Sequence, residues 1–141
     1  MFKESMQAYH VEITNQTNLN QLNDGRFQMI KQGRLDPVMV GYKYVLIKNT
    51  IADVLKKLDI QGVTFKPATI WNRKEDIEDH SYTQLEVNQH FDSANTNDLD
   101  LSGSQFLVMD NRYLFVSPEL MLKLGNSGIK WAFSKGFSNF G

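Results

Sequence analysis

The chain of 141 residues contains no cysteine. This absence excludes thiol nucleophiles, cysteine-ligated zinc and structural disulfide bonds. A domain of this length can bury roughly two thirds of the surface of its unfolded chain, which is enough for a hydrophobic core without a metal or a disulfide. We therefore expect a single domain, residues 1–141, that needs no cofactor.

Long hydrophobic runs are also missing. The longest, Val38 to Ile47, is interrupted by Gly41 and Lys43 and is too short to span a bilayer. The opening segment Met1–Ser5 has no apolar signal-peptide core. These features predict a soluble, cytoplasmic protein that does not bind a membrane.

Glycine-rich phosphate loops of either standard spacing are absent as well. The nearest candidate, Leu101-Ser102-Gly103-Ser104, has one glycine and does not lead into a predicted helix. Phosphate loops need several glycines so that backbone amides can surround the anion at a helix start. The sequence therefore gives no support to nucleotide binding.

Charge is nearly balanced overall, with 15 Lys and Arg against 16 Asp and Glu and a net charge of −1. Nucleic-acid-binding proteins usually carry a basic excess, so we expect no nucleic-acid partner. The acids are unevenly distributed: residues 72–110 hold nine acids and two bases, a charge of −7, which leaves +6 for the rest. This asymmetry fits either a surface for a basic partner or a solvated acidic loop.

One pattern occurs twice along the chain. The first copy is Tyr44–Ile47, a short helix and Gly62–Phe65; the second is Tyr113–Val116, a short helix and Gly128–Trp131. Runs of β-branched and aromatic residues bounded by glycine predict strands. We therefore expect an α+β fold with a mixed or mainly antiparallel sheet, two or three short helices and two strand, helix, strand units.

The starts of both helices have sequence signals. Thr50 with Asp53 three residues later is typical of a capping box. In the second copy, Ser117 is suited to the N-cap and Pro118 to the first helical position, where its missing N–H costs nothing. These signals predict helices that begin after Thr50 and after Ser117.

The rest of the chain predicts strands joined by polar connections. Val38–Ile47 predicts one long strand or two shorter ones, and the alternation from Leu85 to Phe91 predicts another. The acidic stretch after Trp71 and the segment Asp92–Gly103 predict loops. Asp110-Asn111-Arg112, between two apolar runs, predicts the turn of a hairpin.

Two groups of side chains suggest catalytic or metal chemistry. His80 and His90, with Asp79 or Asp92, are ligand types that zinc or iron accepts, but their spacing does not predict that they converge. Asp79-His80-Ser81 contains the residue types of a hydrolase triad. Neighbours in a strand point to opposite faces, however, so this adjacency argues against a relay.

Three other features can be interpreted either as functional or as ordinary surface and core residues. The acid pairs Glu75 with Glu78 and Asp98 with Asp100 would need a desolvating pocket for acid–base catalysis, and their polar context favours ordinary ionised carboxylates. The C-terminal Phe137 and Phe140 either dock on the body or bind a partner. A basic patch near Trp71 would suit single-stranded nucleic acid, although acids adjoin it. The basic residues of this patch are Lys56, Lys57, Lys66, Arg73 and Lys74.

Five short segments carry a resemblance to a known family. They are Val45–Lys48, Val54–Leu58, Gly62–Pro67, Leu114–Leu120 and Gly128-Ile129. In their order and spacing the chain resembles bacterial immunity proteins of polymorphic-toxin systems, close to the type-eleven immunity family. The junction from Val116 to Leu120 is the most specific part of this likeness.

The resemblance implies a cytoplasmic non-enzyme that binds and neutralises a cognate toxin by occlusion. We expect the acidic segment to form the contact, because its carboxylates would complement a basic active-site cleft. The residues predicted to bind the partner are Glu75, Asp76, Glu78, Asp79, Asp98 and Asp100. Two alternatives remain open: a non-catalytic adaptor or structural domain of a secretion or phage-related assembly, and a small metal-dependent hydrolase.

Overall fold

The computed structural model describes residues 7–13, 18–30 and 35–136, and the predicted tail residues Phe137 and Phe140 lie outside them. Within these ranges the chain forms eleven strands and two helices. The strands are β1 (Tyr9–Glu12), β2 (Leu19–Gln21), β3 (Phe27–Met29), β4 (Val38–Gly41), β5 (Tyr44–Lys48), β6 (Val63–Asn72), β7 (Ile77–Val87), β8 (His90–Phe91), β9 (Phe106–Met109), β10 (Tyr113–Val116) and β11 (Ala132–Lys135), and the helices are α1 (Asn49–Lys56) and α2 (Pro118–Gly125). Neither described helix is long and apolar enough to cross a membrane.

The strands form two sheets. One has the order β2-β3-β6-β7-β5-β4, and the other has the order β11-β1-β10-β9-β8. Most neighbouring strands are antiparallel, whereas β3 runs parallel to β6 and β8 runs parallel to β9. The predicted α+β class with mixed strand directions and short helices is confirmed, although the strands are divided between two sheets and do not form the one sheet that was predicted.

Both predicted strand, helix, strand units are present, and they share one topology. In the first, α1 connects β5 to β6, and β7 lies between these two strands and is antiparallel to both. In the second, α2 connects β10 to β11, and β1 lies between these two strands and is antiparallel to both. Each unit is therefore a pair of parallel strands separated by one antiparallel strand.

The last strand of the second unit does not lie where the sequence predicts it. The prediction was Gly128–Trp131, and the strand is Ala132–Lys135. Residues after α2 form a turn instead: Gly128 has a φ of 88°, and the Ile129 N–H donates to Ser127 Oγ over 3.2 Å. This turn brings the chain to the edge of β1, and pairing begins only at Ala132.

One hydrophobic cluster joins the two sheets and both helices. It contains Leu85 and Val87 of β7, Phe106 of β9, Leu55 of α1 and Leu124 of α2, all of them buried. Burying a side chain of this size stabilises a fold by about 1.5–3 kcal/mol relative to leaving it exposed. The shared cluster therefore holds the two units together, while smaller clusters cover the other face of each sheet.

Helix α1 begins earlier than predicted. Its N-cap is Lys48, and Thr50 lies inside the first turn, so the predicted capping box is wrong. Asn49 fixes the start of the helix instead, because its side chain donates to His80 O over 3.2 Å and accepts a hydrogen bond from Thr83 Oγ1 over 2.7 Å. Contacts to β7, distant in sequence, replace the local cap.

Helix α2 begins as predicted, with Ser117 at the N-cap and Pro118 first in the helix. The Ser117 side chain does not cap the helix, however. Its hydroxyl donates to Gly103 O over 2.6 Å and accepts from Gln105 N–H over 3.0 Å. Glu119 supports the same loop by accepting a hydrogen bond from Ser104 Oγ over 2.6 Å. The junction that dominates the family likeness therefore fastens the loop before β9 to the start of α2.

The acidic stretch after Trp71 is mostly a hairpin and not the predicted loop. Strand β6 continues to Asn72, β7 starts at Ile77, and only residues 73–76 form the turn. The strand predicted from Leu85 to Phe91 is wrong in extent, because β7 ends at Val87 and His90–Phe91 joins the other sheet as β8. The sequence does not predict this hairpin, because it is rich in Asp and Glu, which are poor strand formers.

Two other sequence predictions, for Val38–Ile47 and for Asp110–Arg112, are correct. Val38–Ile47 forms two strands, β4 and β5, and Asp110–Arg112 forms the turn between β9 and β10. The two hairpin turns lie side by side, since the Lys43 N–H donates to Asn111 O over 2.7 Å. This bond links the two sheets at the end opposite to the β6–β7 turn.

Candidate partner-binding surface

Four of the six predicted contact acids lie together at the end of the β6–β7 hairpin. These acids are Glu75, Asp76, Glu78 and Asp79. The turn between the strands is ordered by the Asp76 N–H, which donates to Arg73 O over 3.3 Å, and by Trp71 Nε1, which donates to Asp76 Oδ1 over 3.1 Å. With Arg73 and Lys74 also in the turn, residues 73–79 carry a net charge of −2.

Arg26, just before β3, braces one face of this hairpin end. Its guanidinium lies 4.5 Å from the centre of the Trp71 ring. It also pairs with Asp24 at 2.9 Å and with Glu78 at 3.1 Å. Partly exposed ion pairs contribute little individually, but a stacked arginine with two carboxylates restricts the geometry of all four groups. The charge of Glu78 is therefore already paired within the protein.

Asp79 lies on the opposite face of the hairpin, next to a β-bulge. The β6–β7 register shifts between Ala68 and Ile70, so Ile70 pairs with Asp79. One oxygen, Asp79 Oδ1, accepts hydrogen bonds from the Ser81 N–H at 2.8 Å and from Ser81 Oγ at 2.5 Å. The bulge thus fixes the orientation of this carboxylate relative to the strand.

Burial alone would raise the pKa of Asp79, but this effect is outweighed. The two hydrogen bonds from Ser81 and the positive charge of Lys48 favour the ionised form, so the pKa lies below its ordinary value of 3.8. The folded protein therefore binds this proton less tightly than the unfolded chain does. The resulting stabilisation is present above the unfolded pKa and is lost as the pH falls through the lower folded pKa.

Replacing Ser81 with alanine tests this coupling. We expect the free energy of unfolding to fall by about 1 kcal/mol at pH 7, because the carboxylate loses one of its donors. The difference from the wild type should shrink as the pH is lowered below the ordinary aspartate pKa of 3.8, because the Asp79 carboxylate becomes protonated as the pH falls through its lower folded pKa. Urea unfolding at each pH measures this difference in the free energy of unfolding, and Ser93→Ala, at an exposed site, is the control. A difference that is independent of pH would contradict the assignment.

The residues Asp79, His80 and Ser81 do not form a hydrolase relay. Ser81 Oγ donates to Asp79, as described, whereas His80 Nδ1 lies 3.2 Å from Thr69 Oγ1 and His80 Nε2 lies 3.4 Å from Glu78 Oε1. The imidazole thus contacts neither of its sequence neighbours in the way that a triad requires.

Asp98 and Asp100 belong to a different surface. They lie in the loop between β8 and β9, which Gln89 holds through hydrogen bonds to the Asp100 N–H at 2.9 Å and the Asp100 carbonyl at 3.0 Å. Hydrogen bonds from the Ser102 hydroxyl and N–H lower the pKa of Asp100. Asp98 is exposed.

The length of β7 separates the two groups of acids. Its first residue, Ile77, adjoins the hairpin turn, and its last, Val87, is close to Gln89 and the acidic loop. Ten residue steps at roughly 3.3 Å each give about 33 Å. The six predicted residues therefore do not form one continuous surface: four lie at one end of the sheet and two at the other.

The same separation applies to the histidines. His80 lies near the start of β7, whereas His90 follows its end and donates from Nε2 to Val87 O over 2.8 Å. In the part of the chain that the structure describes, no three His, Asp or Glu side chains converge as metal ligands. The two histidines therefore do not form a metal site with Asp79 or Asp92 among the described residues.

The basic residues near Trp71 are dispersed and do not form one patch. Lys66 pairs with Glu86 at 2.6 Å across β6 and β7. The ammonium group of Lys56 lies 5.6 Å from the centre of the Phe65 ring, beside α1. Arg73 and Lys74 are at the hairpin turn, among the acids. This arrangement lacks the continuous basic track that single-stranded nucleic acid requires.

A mainly apolar groove of about 690 Å³ lies between α1 and the chain after α2. Ile51, Ile129 and Trp131 contribute to its walls. None of the six predicted acids lines it, and its charged residues, of mixed sign, are Glu12, Asp36 and Lys130. The groove therefore has no preference for a basic partner.

Arg26 belongs to the candidate surface, but no signal in the sequence identifies it as a member. Arg26 and Glu78 are 52 positions apart, and no periodicity connects them. The Asp24-Gly25 dipeptide is typical of a turn, but the contact of this turn with the β6–β7 hairpin depends on the parallel pairing of β3 and β6. Only the tertiary structure brings this cation to the acids.

A comparison with protein-family models, with curated proteins and with solved structures finds no match to this chain.

Proposed function

We propose that this chain is an immunity protein of a polymorphic-toxin system, which binds a cognate toxin and covers its active-site cleft. The observation that carries the proposal is the ordered acidic end of the β6–β7 hairpin. Its backbone is fixed by the Trp71–Asp76 hydrogen bond and by the stacked Arg26. Groups that are ordered before binding lose less entropy on association, and complementary charge raises the association rate.

Two further features support binding rather than proton transfer at this surface. The lowered pKa of Asp79 keeps its carboxylate ionised near neutral pH, as an acceptor for a partner's cations. The chain also resembles the type-eleven immunity family in the segments that build its two units, for which the resemblance implies no catalytic residues. The adaptor alternative depends on Phe137 and Phe140, which lie outside the described residues.

The hairpin end is the part of the acidic segment that we assign to the toxin. A standard interface buries about 800 Å² on each partner, a patch roughly 30 Å across. The second acidic group lies at the other end of β7, a strand about 33 Å long, so one such patch cannot be centred on both groups. Glu75 and Asp98 offer a matched comparison, because neither side chain forms a hydrogen bond to the other described residues.

Charge reversal at each end tests the proposal. The probe is the toxin domain encoded by the gene next to this one, and binding kinetics are measured for the wild type, Glu75→Lys and Asp98→Lys. We expect Glu75→Lys to weaken binding roughly tenfold, mainly through slower association, and Asp98→Lys to have little effect. The loss should diminish at high salt, where charges are screened.

Three outcomes decide the assignment. A larger loss for Glu75→Lys supports the hairpin end as the contact. A larger loss for Asp98→Lys moves the contact to the β8–β9 loop and contradicts the assigned surface. If the wild type neither binds nor inhibits the toxin domain, the proposed function is wrong.

A further inference from the structure

A small pocket opens beside the acidic hairpin end, on the face opposite to Arg26. Its volume is about 270 Å³. It lies where the cluster on the outer face of the first sheet reaches the surface. The lining residues are Met29, Leu35, Ile70, Asn72, Glu75, Ile77 and Asp79.

Apolar side chains form the floor and one wall of this pocket. Ile70 is 1% exposed and belongs to the underlying cluster, and Met29 packs against that cluster. Ile77, in contrast, is 56% exposed. An incoming aliphatic chain would cover Ile77 and contact a preformed apolar floor.

Two carboxylates stand at the rim of the same pocket. Asp79 uses Oδ1 for its hydrogen bonds with Ser81, and its Oδ2 makes no hydrogen bond to other described residues. The Glu75 carboxylate forms no ion pair with a described cation, whereas Glu78 on the opposite face is paired with Arg26. The Glu75 carboxylate and Asp79 Oδ2 can therefore accept hydrogen bonds from a partner's cation, and apolar side chains line the pocket below them.

We infer that this pocket receives one lysine or arginine side chain of the bound toxin, an assignment that rests on the proposed function. The aliphatic stem lies against Met29 and Ile77, and the cationic head reaches Glu75 and Asp79. Lysine and arginine have this division between an apolar stem and a charged tip. Buried anchors of this kind supply most of the binding energy in protein interfaces.

Two exposed isoleucines provide a matched test. Ile77 lines the pocket, whereas Ile30 is 67% exposed and does not line it. We expect Ile77→Ala to weaken binding of the adjacent-gene toxin domain roughly tenfold, and Ile30→Ala to leave it unchanged. Equal effects of the two variants on a toxin that binds the wild type would overturn the inference and leave the proposed function standing.

A small probe tests the pocket without the toxin. N-acetyl-arginine amide and N-acetyl-lysine amide are titrated into the 15N-labelled full chain, with N-acetyl-norleucine amide as the uncharged control. We expect shifts of the Glu75, Ile77 and Asp79 amides with the cationic probes, and smaller shifts for Glu75→Gln. Absence of these shifts at millimolar probe overturns the inference, and their presence without any toxin binding rejects only the proposed toxin as partner.

The chain's own Lys31 and Arg34, which lie outside the described residues between Met29 and Leu35, are the competing source of such a side chain. The double variant Lys31→Gln, Arg34→Gln distinguishes the two sources. Probe binding that is equal in the wild type and in this variant supports a partner side chain. Probe binding only in the double variant would assign the pocket to the chain itself and overturn the inference.

Discussion

Replacing Phe106 with alanine is expected to lower the free energy of unfolding by about 3–5 kcal/mol. Phe106 is 1% exposed and lies in the cluster shared by both sheets and both helices. Its ring centre is 6.4 Å from that of Trp131, which belongs to the chain between α2 and β11. The substitution removes apolar contacts and leaves a cavity between the two strand, helix, strand units.

Urea unfolding at neutral pH measures this loss. Since small domains are stable by only about 5–15 kcal/mol, a loss of this size removes from about a fifth to all of that stability. Leu122→Ala is the matched control, because Leu122 is 62% exposed on α2 and its loss should change stability by about 0.5 kcal/mol or less. A loss below about 1 kcal/mol for Phe106→Ala would contradict the shared core.

Replacing Ser117 with alanine is expected to lower the free energy of unfolding by about 2–3 kcal/mol. The Ser117 hydroxyl is fully buried and bonded to both Gly103 O and Gln105 N–H. Alanine keeps the backbone but leaves a buried donor and an acceptor without a partner. A helix N-cap serine with only a capping role would give a loss of about 1 kcal/mol.

The residues that become less protected distinguish a serine that holds the loop before β9 from one that only caps α2. Hydrogen exchange should become faster in residues 101–105 of the Ser117→Ala variant, because the hydroxyl fastens that loop. Faster exchange confined to the first turn of α2 would support the capping role and contradict the contacts with Gly103 and Gln105. Ser93→Ala, at an exposed site, controls for the loss of a serine hydroxyl.

The repeated strand, helix, strand pattern was predictable because its signals are local. Short runs of β-branched and aromatic residues identify β5 and β10, an apolar stripe at helical spacing identifies α1, and Ser117-Pro118 marks the start of α2. The start of α1 was not predictable from its caps, because Asn49 is held by His80 and Thr83 of a distant strand. At this helix start, tertiary contacts and not the local capping signals determine where the helix begins.

The candidate site was predictable only as a set of charges. Counting acids between residues 72 and 110 identifies the segment, but the count contains no information about distance. It does not show that Asp98 and Asp100 lie at the opposite end of β7, a strand about 33 Å long, from the other four acids. The hairpin itself was hidden, because Asp and Glu disfavour strands while Arg26 and Trp71 stabilise them from outside the segment. The pocket beside Ile77 depends on the fold of Met29 and Leu35 against Ile70.

The central claim is that this chain binds and inhibits a toxin through the end of the β6–β7 hairpin. Its most direct test is titration of the purified full chain into the toxin domain encoded by the adjacent gene, with binding heat and toxin activity followed together. We predict a dissociation constant on the order of nanomolar or tighter, loss of toxin activity as the complex forms, and a weaker complex for Glu75→Lys. A toxin domain that stays fully active with excess wild-type protein would contradict the account.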